Sequence, residues 1–145
     1  MTNSERMDQR IVRFLKKHHV MTLATAANGM PHCSNLFYAW LDEEQAFVFT
    51  SSLDTKHASD ALASPQVAGS VVLESKAVGN LQGLQFTGRM FRPDDELHIE
   101  AKKRYLKRFP YAAVMDLELW ILAPDWAKLT DNRLGFGKKL IWKKE

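Results

Sequence analysis

The segment from Ala46 to Ala63, AFVFTSSLDTKHASDALA, carries the side chains best suited to hold an anion. The run Phe47-Val48-Phe49 reads as a strand, and it stops in three hydroxyl residues, Thr50, Ser51 and Ser52, before a short helix that carries Lys56. A helix start leaves backbone N–H groups without intrahelical acceptors, and these attract negative charge. Neighbouring hydroxyls add donors and Lys56 adds a cation, a combination suited to a phosphate. The same residues also have a purely structural use. Ser52 and Asp54 are helix-capping types, and a lysine on a short helix can simply be solvated. Spacing alone leaves both uses open.

The elements around this segment follow from periodicity. Met7, Ile11, Phe14 and Leu15 recur at helical spacing among basic residues, which predicts an amphipathic helix from about Ser4 to Lys17. VMTLATA then reads as a strand, Asn28-Gly29 as a hairpin turn and PHCSNLFYAW as a second strand, with AFVFTS completing a three-stranded meander. A helix from about Asp54 to Ala63 interrupts the sheet. Strands are expected again at Gln66 to Glu74 and Leu81 to Phe91, with Gly83 and Gly88 placed for a bulge or sharp coiling. Proline and acids at Arg92 to Glu96 open another helix, which Phe109-Pro110 ends after a basic last turn. LELWILA, WAKLTDN and LGFGKKLIW supply the final strands. Many short antiparallel strands interrupted by helices point to a small closed or split barrel with helices outside it.

Composition narrows the function classes. The chain has 145 residues, 46% of them hydrophobic and 26% charged, which fits a single globular domain over residues 1–145. No apolar run reaches membrane-spanning length, the N-terminus is too polar for a signal peptide, and the single cysteine, Cys33, is compatible with a reducing compartment, so a cytosolic location is expected. Cations cluster at Lys102, Lys103, Arg104, Lys107 and Arg108 and again in the tail. Ala101, Tyr105, Leu106 and Phe109 among them read more simply as the buried stripe of a surface helix than as a nucleic-acid contact. His32 and Cys33 are adjacent on a strand and point to opposite faces, so they do not share a metal ion. Without an identifiable base, Cys33 reads as a buried small hydrophobe rather than a nucleophile.

Thr22 to Thr25 with Asn28, Gly29 and Pro31, the stretch Phe47 to Ala68, GLQFTGR from Gly83 to Arg89 and TDNRLGFGKKLIW from Thr130 to Trp142 resemble the pyridoxamine 5′-phosphate oxidase-like family of FMN-binding split barrels, and within it the small YhbP-type proteins. The resemblance implies a mainly β fold, a six- to eight-stranded antiparallel split barrel with flanking helices. It also implies a homodimer in which each FMN lies in a groove between subunits, its phosphate at the strand-to-helix junction. Carried over by position, Thr50 matches the family's strand-end threonine and Lys56 its phosphate-contacting lysine, with Ser51 and Ser52 between them. Gln85 falls on the strand that lines the flavin groove, where an amide can meet the ring edge, with Gln82 on the opposite strand face as its competitor and Asn35 as a weaker candidate. Lys139 and Trp142 fall in the final segment that reaches toward the groove. The lysine would meet the phosphate from the partner subunit, and the indole would close the pocket or anchor the core.

The chain also departs from the pattern, because Ser34 and Ala39 stand where the better-studied oxidases carry cations and Thr55 stands before the site's lysine. Two functions therefore follow from the resemblance: an FMN-dependent oxidoreductase of unassigned substrate and catalytic residues, or a non-enzymatic binding module that has lost tight flavin affinity.

Overall fold

In the computed structural model, which describes residues 6–135 and 138–145, eight strands and three α-helices form one antiparallel sheet with its flanking helices. Helix α1 (Gln9–Lys17) opens where the Asp8 carboxylate accepts the Arg10 N–H, and it buries Ile11, Val12, Phe14 and Leu15. The earlier part of the expected helix, residues 1–5, lies outside the described residues. Strands β1 (Val20–Ala27) and β2 (Met30–Phe37) form a hairpin through Asn28 and Gly29. Their φ angles of 53° and 76° are what a two-residue hairpin turn demands.

The expected meander is absent, because the strand predicted through Pro31 to Trp40 changes neighbours at Tyr38. β2 pairs with β1, whereas β3 (Ala39–Leu41) pairs with β4 (Ala46–Thr50). Tyr38 is fully buried at this corner; its N–H donates to the His19 carbonyl at 2.9 Å and its hydroxyl to the Leu15 carbonyl at 2.7 Å. After helix α2 (Lys56–Ala63) come β5 (Gln66–Leu73), β6 (Gln82–Phe91), helix α3 (Asp95–Arg108), β7 (Leu119–Asp131) and β8 (Lys139–Lys143). Residues 136–137, inside the expected last strand, lie outside the described residues. The strand order is β2-β1-β5-β6-β7-β4-β3, with β8 also on β7. Chain continuity at Tyr38 joins the two edges of that order, and the sheet curls into a split barrel.

The two late strands predicted at LELWILA and WAKLTDN are one strand of 13 residues. Pro124 is tolerated within it because it faces Gly88, where the β6–β7 register shifts, so its missing N–H falls at a bulge. A Cβ at Gly88 would lie 2.4 Å from the Ala123 carbonyl oxygen, whereas one at Gly83 would meet nothing within 4 Å. Only Gly88 serves the bulge expected of both glycines.

Alternation along the strands divides the core in two. Inside the barrel Leu23, Phe47, Phe49, Phe86 and Trp120 pack with α1 and with Ala58 and Ala61 of α2, and the Phe47 and Phe86 rings stack at 4.6 Å. Outside it, Ala101, Tyr105 and Phe109 of α3 cover Ala39, Val48, Leu119 and Ile121. The cations of α3 that the sequence clustered thus flank a buried stripe. Among the described residues the rest of the outer face is uncovered, and register aligns Thr22, Ser70, Gln85, Lys128 and Ile141 in one row across it. Val72 and Ile141, each 61% exposed, make that face partly apolar.

Gly88→Ala should lower the free energy of unfolding by about 1–3 kcal/mol through the clash with Ala123, and Gly83→Ala should change it by less than about 0.5 kcal/mol. Urea titrations of the two variants check the contrast.

Candidate functional site

The junction between β4 and α2 is fixed from β7. The Ser51 N–H donates to the Glu118 carbonyl at 3.0 Å, and the Trp120 indole N–H donates to the Ser51 carbonyl at 3.1 Å. Arg92 pairs with Glu118 at 2.6 Å and lies 5.2 Å over the Trp120 ring, which holds that anchor in place. From Ser51 the chain makes a turn closed by the Thr55 N–H on the Ser52 carbonyl at 3.1 Å. This turn delays the helix, and Thr55, not Ser52 or Asp54, is its cap: the Thr55 hydroxyl oxygen accepts the Ala58 N–H at 3.3 Å. Ser52 is exposed and donates its hydroxyl to Asp54 at 2.5 Å. The amides of Ser51 and Thr55 are thus used within the protein, while those of Lys56 and His57 open α2 without an intrahelical acceptor.

Lys56 projects from this opening with about half of its side chain exposed. Its ammonium donates to both oxygens of Asp60, at 3.0 and 3.2 Å, which leaves a third N–H. Asp60 is buried and also accepts the Thr25 hydroxyl at 3.0 Å. The hydrogen bond from Lys56, supported by the one from Thr25, holds its carboxyl below the usual carboxylate range.

The next residue, His57, was not legible as functional. Its imidazole is buried, with Nε2 2.7 Å from Ser51 Oγ in the turn after β4 and Nδ1 3.0 Å from Ser34 Oγ on β2. Thr55 Oγ1 lies 3.3 Å from Nε2. Burial, with His32 nearby, pushes the imidazole below its ordinary pKa, and Asp60 pulls the other way. With Thr55 as cap, His57, Ala58, Asp60 and Ala61 form the buried face of α2, and the Lys56–Asp60 spacing is the helical ion-pair spacing. That spacing was the available signal. The partners of His57 were not foreseeable, because Ser34 belongs to another strand.

The remaining sequence candidates separate. Thr50 ends β4 opposite Leu119, on the outer side of the sheet. Gln85 is exposed on the uncovered outer face between Ser70 and Lys128, whereas Gln82 is buried and accepts from Arg133 at 3.2 Å. Asn35 accepts the Thr22 hydroxyl at 2.9 Å on the same outer face. Trp142 is 6% exposed and packs in the barrel core. Lys139 pairs with Thr130, at the opposite end of β7 from the Leu119 that pairs with Thr50. It lines a cleft of about 570 Å³ between α1 and β8, together with Arg10, Arg13, Lys138 and Arg133 over an apolar floor that includes Leu140. One chain therefore gathers Thr50, Ser51, Ser52 and Lys56 but not Lys139. Cys33, expected to be buried, is exposed, because its register with Ala24 places it on the outer face. Among the described residues no cluster of three or more His, Cys, Asp or Glu side chains is placed to hold a metal ion, and no helix is long and apolar enough to cross a membrane.

Comparison with known proteins follows the same outline. A family model described as pyridoxamine 5′-phosphate oxidase matches residues 7–130. A UPF0306 protein of Photorhabdus laumondii is 38% identical over 136 residues, covering 94% of this chain and 95% of the relative. The UPF0306 protein YhbP of Escherichia coli O157:H7 is 39% identical over 132 residues, covering 91% and 90%. Among solved structures, a haem-binding protein of Mycobacterium smegmatis superposes with a TM-score of 0.77 at 20% identity, over 99% of this chain and 58% of that one. An FAD-binding protein of Mesorhizobium loti superposes with a TM-score of 0.67 at 17% identity, over 83% and 90%. HutZ of Vibrio cholerae, named a haem storage protein, gives 0.67 at 22% identity, over 82% and 90%. At such identities the structures establish the fold, a split barrel. The family match over most of the chain and the close UPF0306 relatives establish the rest: this chain belongs to the pyridoxamine 5′-phosphate oxidase family, in its UPF0306 branch with YhbP.

Proposed function

We propose that this protein is a cytosolic, homodimeric flavoprotein that binds FMN with the phosphate at the β4–α2 junction and the isoalloxazine ring in a groove on the open outer face. The observation that carries the reading is the opening of α2. There an exposed ammonium, Lys56, stands beside the first helical amides, where a phosphate finds donors and a favourable dipole, with the Ser52 hydroxyl nearby once it turns from Asp54. The family and the FAD-binding neighbour support a flavin as the phosphate's bearer.

A dimer is supported by two features. The outer face left uncovered by α3 exposes Val72 and Ile141, apolar area of the kind that a second subunit buries. Lys139 also lies too far along β7 to meet the junction of its own chain, so only a partner's copy could approach it. Gln85, central on that face, would meet the ring edge. When bound, FMN supplies electron or hydride transfer, while Thr50, Ser51, Ser52, Lys56 and Gln85 bind and orient it. Trp142 supports the groove from inside the barrel.

A second reading, a binding module without catalysis, draws support from the charge at the site. The Lys56 ammonium is shared with Asp60, and Ser34, Ala39 and Thr55 add no cation. Two of the similar structures are named for haem. Absorption spectra of the purified protein separate these cases: flavin bands near one per chain support the first reading, a Soret band a tetrapyrrole carrier, and neither band, with no thermal shift on adding FMN, the loss of flavin affinity.

Lys56→Ala should weaken FMN binding by about 1.5–3 kcal/mol, the worth of a hydrogen bond to a charged group, as measured by quenching of flavin fluorescence. Asp60→Asn should tighten it by freeing the ammonium. Val72→Glu, which buries a charge in the proposed interface, should convert dimer to monomer in light scattering at micromolar protein.

A further inference from the structure

His57 stands between Ser34 of β2 and Ser51, the residue after β4, with one ring nitrogen within hydrogen-bond distance of each hydroxyl, 3.0 and 2.7 Å away. A neutral imidazole has one N–H and one lone pair. One serine therefore accepts from the ring while the other must donate its only proton to the ring, and that second hydroxyl is closed to any other acceptor. A protonated imidazole donates from both nitrogens. Both serine oxygens then accept, and both hydroxyl protons are free to turn outward.

A phosphate monoester at the junction carries close to two negative charges at neutral pH. The fixed cation beside it, Lys56, is already shared with Asp60. We propose that His57 supplies the missing charge: binding of a phosphate monoester draws one proton from solvent onto the imidazole, which releases the hydroxyls of Ser34 and Ser51 to donate to the anion. The proton adds to the ring nitrogen that had been accepting, and no other bond forms or breaks. This inference rests on the reading of the β4–α2 junction as a phosphate site.

The groups facing the ring set the balance. From α2, Asp60, itself paired with Lys56, favours a positive charge on the ring; from β2, His32 opposes it; from β1, Thr25 reaches the ring through Asp60; and Ser51, just after β4, and Thr55, the cap of α2, offer neutral hydroxyls. In the absence of an anion the burial of His57 and the proximity of His32 keep the imidazole neutral near pH 7. An anion against the two serines reverses that preference, so affinity rises as pH falls through the imidazole range. The sign for folding is opposite. Because its pKa is depressed in the folded chain, His57 contributes stability that is complete above the ordinary imidazole pKa and is lost as pH falls toward the folded value.

The test compares the full-length protein with His57→Gln, using FMN as the probe and riboflavin, which lacks the phosphate, as the control. Relative to His57→Gln, which shares any titration of the phosphate itself, the wild type should gain roughly fivefold or more in FMN affinity between pH 8 and pH 6.5, with no such gain for riboflavin. Calorimetry in buffers of different ionisation enthalpy should show proton uptake in the wild type that the variant lacks. Coincident pH profiles, or equal proton uptake, would overturn the proposal while leaving FMN binding intact. Should His57→Gln fail to fold, the wild-type imidazole resonance decides: its pKa rises on saturation with FMN, or it stays and the relay is refuted. Absence of FMN binding at every pH would instead strike the flavin reading. Inorganic phosphate then tests the relay alone, since a phosphate-induced rise in the His57 pKa supports it and an unmoved pKa overturns it.

Discussion

The structure depends on the pairing of one strand. β7 pairs with β6 from Ile121 to Asp131, holds β4 at its first residues and β8 toward its last, and so belongs to both halves of the barrel. Its entry also fixes the candidate site, because the Glu118 carbonyl accepts the Ser51 N–H and the Trp120 indole donates to the Ser51 carbonyl. Trp120 is fully buried, and truncating so large a side chain would cost about 3–5 kcal/mol. The position of the junction is therefore tied to a fully buried residue of the core. The same strand separates Thr50, opposite Leu119, from Lys139, opposite Thr130, so one chain does not bring the two together.

Beneath α2 lies a layer of buried polar groups, Thr25, Ser51, His57 and Asp60, that is unusual at the end of an apolar barrel. Each has a partner: Thr25 and Lys56 satisfy Asp60, and Ser34 and Ser51 satisfy His57. Such networks fix one arrangement because any displaced member leaves an unpaired group in a region of low dielectric. Here the consequence is a rigid helix start whose charge is tuned rather than maximal. A carboxylate restrains the lysine, and a neutral imidazole holds the hydroxyls.

Much of this was legible along the chain. The apolar spacing of α1, the Asn28-Gly29 turn and the hydroxyl-rich end of β4 are local signals, and local physics produces them. Errors arose where a residue's role depends on a distant partner. Nothing in PHCSNLFYAW marks Tyr38 as a corner, because the residues on both sides favour strands and the change of neighbour comes from β4. LELWILA and WAKLTDN read as two strands, yet the bulge opposite Gly88 absorbs the missing N–H of Pro124 between them, a fact that belongs to β6. Ser52 and Asp54 were better capping types by composition, but the turn at Ser52 moved the helix start to Thr55. His57 acquires its meaning only when β2 and β4 converge on it, and the exposed face of Cys33 follows from register rather than residue type.

The central claim is that the opening of α2 holds a phosphate whose flavin spans the uncovered sheet face between two chains. Diffraction from crystals grown with FMN tests it most directly. The account predicts a phosphate within hydrogen-bond distance of the Lys56 ammonium and the Ser51 or Ser52 hydroxyl, with the ring beside Gln85 and a second chain against it. A phosphate seated elsewhere, for instance among Arg13, Lys138 and Lys139 in the cleft beside α1, would contradict it.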